Sequence, residues 1–203
     1  MPRARLATNA DVGPLGAALA RSFSTDPVWR WIVPDEQRWE QRAPAVFGHE
    51  VGGRLRLGHS YTTDDRAGAA LWAPPGRWRS SGLDLLRSAL PMARLARGGG
   101  ARRGLAVLRA TERVHPKAEH WYLALLGTHP HHQGRGVASA VLAPVLERCD
   151  LDGVGAYLES SNPVNVAFYQ RHGFRVMGEV APGGSPPLAL MWRDPGPVEG
   201  EER

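Results

Sequence analysis

Residues 125–139 read Leu-Leu-Gly-Thr-His-Pro-His-His-Gln-Gly-Arg-Gly-Val-Ala-Ser, and this stretch decides the fold. The apolar run Trp121–Thr128 predicts a buried strand, and a short loop after it becomes a helix near Gly136. The first turn of a helix leaves backbone N–H groups without partners and carries the positive end of the helix dipole. Gly134 and Gly136 have no side chain that would keep a phosphate away from those groups. The stretch therefore predicts an anion-binding site where the strand meets the helix.

Two familiar phosphate-binding loops do not match this segment. The dinucleotide pattern G-x-G-x-x-G is incomplete, because Gly134 and Gly136 are followed by Ala138 and Ser139. A P-loop needs Gly-Lys-Ser/Thr, and no lysine lies nearby. A glycine-rich turn alone is therefore weak evidence for any particular ligand.

The residues after the loop alternate between helix and strand patterns. A helix with one apolar face is predicted over Gly136–Cys149, and a second over Pro163–His172. Strands are predicted at Ala156–Ser160, Phe174–Val180 and Leu188–Arg193. This alternation is typical of an α/β fold.

The N-terminal half is less regular but still patterned. A short strand precedes a helix that Asp11 is placed to cap, and a second helix begins near Asp35. Ser60–Thr63 and Ala67–Ala73 predict a hairpin, and Leu83–Ala96 is helical in pattern. We interpret Arg97–Arg103 as a mobile basic loop before a short helix from Leu105 to Val114. Residues 1–193 are thus predicted to form one domain, followed by a disordered tail over 194–203.

The composition excludes several classes of protein. Apolar residues make up 42% and charged residues 22% of the 203 residues, ordinary values for a globular protein. The chain shows neither a membrane-length apolar run nor a signal-peptide core, so we expect a cytoplasmic protein with no membrane contact. Cys149 is the single cysteine, which excludes an internal disulfide. The net charge is +5, but the arginines are scattered and no nucleic-acid partner is expected.

Three segments in order resemble a known family. Gln133-Gly-Arg-Gly136-Val-Ala138 is similar to the Q/R-x-x-G-x-G/A motif of the GNAT superfamily of acyl-CoA N-acyltransferases. Tyr157–Ser160 resembles the strand after the motif helix, and Asn162–Phe174 resembles the closing signature N-x-x-A-x-x-x-Y-x-x-x-G-F. The resemblance implies a mixed, mostly antiparallel sheet that splays open, with helices on both faces. In the N-terminal half, Arg5–Asp11 and the turn before Pro27 resemble puromycin N-acetyltransferases.

The resemblance also implies where acetyl-CoA binds as the acetyl donor. Backbone amides of the loop and helix start would hold the pyrophosphate, and the end of the first strand would pair with the pantetheine arm. An amide of that strand would also polarise the thioester carbonyl. The predicted cofactor-binding residues are Leu126, Gly127, Thr128, Gln133, Gly134, Arg135, Gly136, Val137, Ala138, Ser139, Asn165 and Tyr169.

Asn165 and Tyr169 are four residues apart and so share one helix face. By resemblance, Asn165 hydrogen-bonds the pantetheine arm and Tyr169 donates a proton to the departing CoA thiolate. A packing aromatic with a satisfied hydroxyl is the alternative for Tyr169. Asn162 and Gly173 are expected to begin and end this helix, which are structural roles.

Glu159 lies on a strand predicted to be central in the sheet. A charged residue there needs a partner or a cavity. Alkyl amines have a pKa of about 10.4 and arrive protonated, so the reaction requires a base, directly or through water. Glu159 is either that catalytic base or the partner of one of the arginines, and the sequence leaves both open.

The remaining candidates favour structural roles. His129, His131 and His132 lie in the loop with no carboxylate in the segment, so no metal site is expected. Cys149 ends an apolar helix face and is predicted to be a core residue, not a nucleophile. The N-terminal half also permits an aromatic-walled pocket from Trp29, Trp31, Trp39, Trp72 and Trp78. Asp26, Asp35, Asp64 and Asp65 lie nearby in sequence and would let such a pocket attract a cation.

These observations predict an N-acetyltransferase that moves acetyl from acetyl-CoA to a primary amine, as a direct transfer in a ternary complex. The expected acceptor is a small molecule. A non-catalytic acyl-CoA-binding regulatory domain and an acetyltransferase of peptide or protein amines are the alternatives. The acceptor's identity, and whether the chain forms a homodimer, stay open.

Overall fold

The computed structural model describes residues 2–79 and 82–197, with all of their side chains except those of residues 83–85. The strands are β1 Ala4–Leu6, β2 Ser60–Thr63, β3 Gly68–Ala73, β4 Trp121–Thr128, β5 Ala156–Ser160, β6 Arg175–Val180 and β7 Leu188–Arg193. The helices are α1 Val12–Ser22, α2 Pro27–Ile32, α3 Glu36–Leu55, α4 Gly82–Leu95, α5 Gly100–Val114, α6 Val137–Asp152 and α7 Val166–Gln170.

The strands form one sheet in the order β1-β2-β3-β4-β5-β7-β6. Every neighbouring pair is antiparallel except β4 and β5, which are parallel. The sheet is therefore mixed and mostly antiparallel, and the predicted fold class is confirmed. The parallel pair lies in the middle of the sheet and joins its two antiparallel halves, β1-β2-β3-β4 and β5-β7-β6. We call the boundary between β4 and β5 the seam.

Helices cover both faces of the sheet, and each face has its own apolar core. On one face Leu15 and Leu19 of α1 pack with Phe47 of α3. On the other face Leu142 of α6 packs with Trp72 of β3. Burial of each such side chain contributes about 1.5–3 kcal/mol to the stability of the fold. Cys149 is fully buried in the second core, as predicted.

Short polar residues begin the N-terminal helices. Asp26 Oδ1 accepts from the amides of Val28 and Trp29, both at 3.0 Å, and so begins α2. Asp35 does the same for α3 by accepting from the Arg38 amide at 2.9 Å. Such caps satisfy amides that have no partner within the helix.

Asp11 stands at the start of α1 as predicted, but its carboxylate does not cap that helix. It is buried and accepts from Arg5 at 2.8 Å and from Arg66 at 2.6 Å. Hydrogen bonds from Arg5, and then from the Thr8 amide and Arg66, hold the pKa of Asp11 far below its ordinary value. The ion pairs tie β1 to the hairpin of β2 and β3.

The prediction that Arg97–Arg103 forms a mobile loop is wrong from Gly100 onward, where α5 begins. Gly100 approaches the Ile32 carbonyl so closely that a Cβ would lie 2.6 Å from its oxygen. Arg103 donates to the same carbonyl at 3.2 Å and lies over the Trp31 ring. This packing against α2 orders a glycine-rich segment that has no apolar pattern of its own.

The last part of the chain is described as far as residue 197. There Gly196 donates its amide to Asp150, whose carboxylate also pairs with Arg193 at 2.7 Å. The rest of the predicted tail, residues 198–203, lies outside the described residues. Within the described part of the chain, no helix is long and apolar enough to cross a membrane.

Candidate active site

The sheet opens between its two parallel strands. Paired residues on β4 and β5 are Trp121 with Ala156 and Tyr122 with Tyr157, and the pairing ends there. On its other edge β4 carries one extra residue opposite β3, because Leu71 pairs with Leu125 while Trp72 pairs with Leu123. Such a bulge bends a strand away from regular pairing. A cavity of about 590 Å³ opens along the separated parts of β4 and β5.

The predicted anion site lies at the start of α6. Gly136 and Gly134 have φ of +81° and +73°, a left-handed backbone that strongly favours glycine. Among the described residues, no protein acceptor meets the amides from Gly134 to Ser139, and no side chain caps α6. Arg135 is exposed and without an ion pair in the same part of the structure. The site thus offers several unpaired donors to an anion.

The other residues of the loop hold it in shape. The Gln133 side chain donates to the Thr128 carbonyl at 3.3 Å and so ties the loop to the end of β4. His129 Nδ1 accepts from the His131 amide, and His132 lies 3.5 Å from the carboxylate of Asp65. Within the described residues, no three His, Cys, Asp or Glu side chains are grouped so that they could hold a metal ion.

The three residues at the end of β4 that were predicted to bind the pantetheine arm do not all face the cavity. Leu126 lines the cavity. Gly127 faces α1, where a Cβ would lie 2.8 Å from Leu19, and the Thr128 amide donates to Ser22 Oγ at 3.2 Å. Leu126 is therefore better placed than Gly127 or Thr128 to meet a ligand in the cavity.

Asn165, at the start of α7, and Tyr169, within it, lie on the same face of that helix, and both line the cavity. The Tyr169 ring is buried against Phe174, but no hydrogen bond is formed by its hydroxyl in the described part of the chain. Burial, and then the nearby charge of Asp26, raise the pKa of the Tyr169 hydroxyl above its ordinary value. The group therefore keeps its proton and has room to donate it to a ligand.

His172 joins the start of α6 to the α7 segment, by which we mean residues 163–172: a 3-10 turn at Pro163–Asn165, helix α7 and the turn after it. Its Nδ1 donates to the Phe168 carbonyl at 2.9 Å, and its Nε2 lies 3.1 Å from Ser139 Oγ. Asn162 caps this segment by accepting from the Val164 amide, and Gly173 ends it with φ of +84°, as predicted. The face that carries Tyr169 is thus held against the start of α6.

Glu159 lies in the floor of the cavity, with its side chain 8% exposed. Its Oε2 accepts from the Tyr122 hydroxyl at 2.8 Å, and its Oε1 lies 3.6 Å from His115 Nδ1. Within the described residues no arginine pairs with it, so the arginine partner that the sequence left open is not found there. Burial, with Glu159 as the next cause, raises the pKa of Tyr122 well above its ordinary value, so that tyrosine stays a donor.

The rest of the cavity has aromatic and apolar walls. They include Phe23, Trp29 and Phe47. The Phe47 ring stacks on Phe23 with ring centres 5.3 Å apart and meets Trp29 at a tilt with ring centres 5.4 Å apart. Of the five tryptophans that the sequence offered, Trp29 lines this cavity, Trp39 and Trp72 are core, Trp31 lies against Arg103, and Trp78 stacks on His115.

The charged residues of the cavity differ from those expected. Asp26 is used as a helix cap and accepts from Ser161, and burial raises the pKa of its carboxyl. The cavity is instead lined by Glu50, Glu159 and Arg54. Burial raises the pKa of Glu50, while Arg54 opposes that effect.

Sequence reasoning missed Glu50, Arg54 and the partners of Glu159. Glu50 and Arg54 lie on α3, far in sequence from every motif. Tyr122 could have been found, because it pairs with Tyr157, and Tyr157 shares a strand face with Glu159 two residues on.

Comparison with known proteins assigns the family. Residues 71–174, just over half of the chain, match the sequence model of the Acetyltransferase (GNAT) family. The matched part runs from β3 to the residue after Gly173, and so contains the seam, the start of α6 and the face that carries Tyr169. The chain belongs to this family. It is accordingly a GNAT-type acetyl-CoA-dependent N-acetyltransferase.

Similar proteins agree with that assignment. The chain is 27% identical over 198 residues to the Uncharacterized N-acetyltransferase C550.08 of Schizosaccharomyces pombe, covering 91% of this chain and 80% of that protein. A crystal structure from Corynebacterium glutamicum, described as histone acetyltransferase HPA2 and related acetyltransferase, has a TM-score of 0.70 at 23% identity over 98% of each chain. Arylalkylamine N-acetyltransferase 2 of Aedes aegypti has a TM-score of 0.59 at 13% identity, covering 96% and 99% of the two chains.

The GNAT family generally uses acetyl-CoA. Donors for an anion lie at the start of α6, and Leu126, Asn165 and Tyr169 line the cavity that opens at the seam. The resemblance of the N-terminal half to puromycin N-acetyltransferases is not confirmed by these relatives, whose names give other acceptors or none.

Proposed function

We propose that this GNAT enzyme transfers acetyl from acetyl-CoA to the primary amine of a small molecule, in one ternary complex. The observation that carries the proposal is the continuous cavity from the seam of the sheet to the aromatic walls. Tyr169 and Glu159 both line it, and they are the two groups suited to give and to take a proton.

The residues around α6 fit the pyrophosphate of acetyl-CoA. Backbone amides from Gly134 to Ser139 lack protein acceptors among the described residues, and Arg135 adds an unpaired positive charge nearby. A 16-residue helix presents the positive end of its dipole at the same place. Leu126 and Asn165 would meet the pantetheine arm inside the cavity, as the resemblance implies.

The reaction requires one group that takes a proton and one that gives it. Acetyl-CoA supplies the acetyl group as a thioester. Glu159 accepts a proton from the ammonium form of the acceptor, which frees the nitrogen electron pair for attack. Tyr169 donates its proton to the departing sulfur, and because the pKa of this tyrosine is raised, its hydroxyl is protonated at neutral pH. A free cysteine nucleophile takes no part, because burial raises the pKa of Cys149 to about 12.

The cavity fits a small amine with an apolar or aromatic body. Phe23, Trp29 and Phe47 provide the walls, and a volume of about 590 Å³ lies in the range of small-molecule sites. Glu50, Glu159 and Arg54 line the cavity, and the Glu159 carboxylate, which pairs with no arginine among the described residues, favours a cationic acceptor. Arylalkylamine N-acetyltransferase 2 has the same fold and acts, by its name, on amines of this shape.

We expect small arylalkylamines and puromycin-like aminonucleosides to be acetylated with kcat/KM at least about tenfold above that of basic peptides. The reason is that a peptide backbone cannot follow its amine into a cavity walled by rings. Release of free CoA measures turnover, and the N,N-dimethyl form of each amine is the matched control that cannot give a stable amide. Turnover of basic peptides without turnover of small amines would contradict the assignment and favour a peptide acceptor.

We expect Glu159→Gln to lose activity on every acceptor, by at least about tenfold in kcat. The amide still accepts a hydrogen bond from Tyr122, but it cannot take a proton from the amine. Steady-state kinetics with two unrelated amines tests this, with Glu147→Gln on the outer part of α6 as the control. A loss seen with one acceptor alone would make Glu159 a specificity residue instead of the base.

A further inference from the structure

Two histidines form a buried chain behind Glu159. His115 follows α5 and His120 precedes β4, and both are buried. His120 Nδ1 lies 2.7 Å from the Ala118 carbonyl oxygen, and His120 Nε2 lies 3.0 Å from His115 Nε2. His115 Nδ1 then lies 3.6 Å from Glu159 Oε1. The chain therefore runs from a backbone carbonyl to a carboxylate in the cavity.

The carbonyl at one end of the chain determines where the protons lie. A carbonyl oxygen only accepts, so His120 Nδ1 carries the hydrogen. Burial lowers the pKa of His120, so its ring is neutral and its Nε2 accepts. His115 Nε2 must therefore donate, which leaves His115 Nδ1 with a lone pair when that ring is neutral.

Two acceptors consequently face each other across 3.6 Å. His115 Nδ1 has a lone pair, and Glu159 Oε1 is buried with no hydrogen bond of good geometry in the described part of the chain. The Tyr157 hydroxyl also interacts with Glu159 but is itself left without such a bond, so it does not satisfy Oε1. A buried polar atom without a partner is costly and calls for an explanation. One proton placed between these two atoms would satisfy both of them.

We propose that His115 and Glu159 act together as the base, and that His120 holds the His115 ring in the tautomer that this requires. The inference rests on the proposed function, since it assigns Glu159 to the acceptor amine. Glu159 is the group that touches the acceptor. His115 and His120 are positioning residues that act through it.

The reaction releases one proton overall, and the pair of His115 and Glu159 offers one place to hold it. The nitrogen of an ammonium acceptor loses two protons on becoming an amide, and the departing sulfur gains one from Tyr169, so one proton is released overall. When the first N–H bond breaks, its electron pair stays on nitrogen and forms the bond to the acetyl carbon. The C–S bond of the thioester then breaks, and its electron pair leaves on the sulfur that Tyr169 protonates. The released proton is held between Glu159 Oε1 and His115 Nδ1 until solvent takes it, and the second nitrogen proton restores the Tyr169 hydroxyl.

The surroundings of the pair keep this proton in place. The titratable and charged groups that face it are His120, Tyr122, Tyr157 and Arg54. Burial and Glu159 raise the pKa of both tyrosines, so neither gives up its proton to the pair. Trp78 stacks on His115 with ring centres 3.7 Å apart and covers the ring.

The test is the pH profile of kcat/KM for His115→Asn. The Asn amide can still donate a hydrogen bond to Glu159, but it cannot accept a proton. We expect kcat to fall about ten- to a hundredfold, part of the range for a general acid–base group. We also expect the acid limb of the profile to move to lower pH, because the variant removes the His115 lone pair that lies 3.6 Å from Glu159 Oε1 and leaves one acceptor where there were two. The affinity for acetyl-CoA should stay at its wild-type value.

Two further variants keep the result interpretable if His115→Asn folds poorly. His120→Phe retains ring packing against Tyr157 and Trp192, but it frees the His115 tautomer, and we expect a smaller shift of the acid limb in the same direction. Glu147→Gln, an exposed residue on the outer part of α6, should leave both kcat and the profile unchanged.

The outcomes separate this inference from the function on which it rests. An acid limb at the wild-type pH in both His115→Asn and His120→Phe overturns the paired base, whatever the loss in rate. If in addition Glu159→Gln keeps full turnover, Glu159 is not the base and the proposed function fails in that part. A shifted limb with unchanged acetyl-CoA affinity supports the pair.

Discussion

Gly136→Glu is expected to bind acetyl-CoA more weakly by on the order of 100-fold or more, with the fold retained. The new carboxylate would lie among the amides proposed to hold the pyrophosphate, and unfavourable like-charge contacts cost several kcal/mol. Each 1.4 kcal/mol is about tenfold in affinity. Calorimetric titration of the variant with acetyl-CoA measures the loss directly.

The backbone at this position demands a matched control. Gly136 has φ of +81°, where any side chain is strained by about 1–2 kcal/mol, although a Cβ would find no atom closer than 3.8 Å. Gly136→Gln carries the same strain and nearly the same volume without the charge. We expect it to bind acetyl-CoA clearly better than Gly136→Glu. Equal affinities for acetyl-CoA in the two variants, or no loss in either, would contradict the proposal that the pyrophosphate binds at the start of α6.

The structure at the start of α6 was predictable from sequence because the residues that determine it are neighbours in the chain. Two glycines, a strand before them and an apolar helix after them lie within about twenty residues, and each constrains the backbone of the next. The same holds for Asn162 and Gly173, which begin and end the α7 segment as their residue types predict. The resemblance of these segments to the GNAT family then supplied the fold of the sheet around them.

The walls and floor of the cavity were not predictable in the same way. Glu50 and Arg54 reach it from α3, and His115 reaches Glu159 across 44 positions of sequence. No periodicity or spacing within one segment reports such a contact, because it depends on how α3, α5 and β5 pack. Gly100 shows the same limit. Its glycine-rich surroundings predict a loop, yet close packing on the Ile32 carbonyl makes it the first residue of a helix.

Tyr169→Phe is expected to lower kcat by about 10²–10⁴ while leaving the affinity for acetyl-CoA within about twofold. The hydroxyl is assigned to the departing sulfur, and a group that acts mainly in the transition state lowers turnover when it is removed, with little effect on binding. The pKa of Tyr169 is raised above its ordinary value of 10.0, so the hydroxyl keeps its proton throughout the neutral pH range. Ionisation of this group should therefore cause no loss of activity at mildly alkaline pH. Pre-steady-state and steady-state CoA release with a saturating amine measure the effect.

If Tyr169 is only a packing aromatic, Tyr169→Phe should keep near wild-type kcat, so the variant distinguishes the two roles. Phenylalanine keeps the contact with Phe174, whose ring centre lies 5.9 Å away, and the lost hydroxyl has no protein partner among the described residues. The free energy of unfolding should therefore change little in Tyr169→Phe, as in the control Tyr61→Phe on the opposite half of the sheet. Near wild-type kcat at unchanged stability would show that the hydroxyl is not the acid, and the proton for the sulfur would then have to come from solvent through the open seam between β4 and β5.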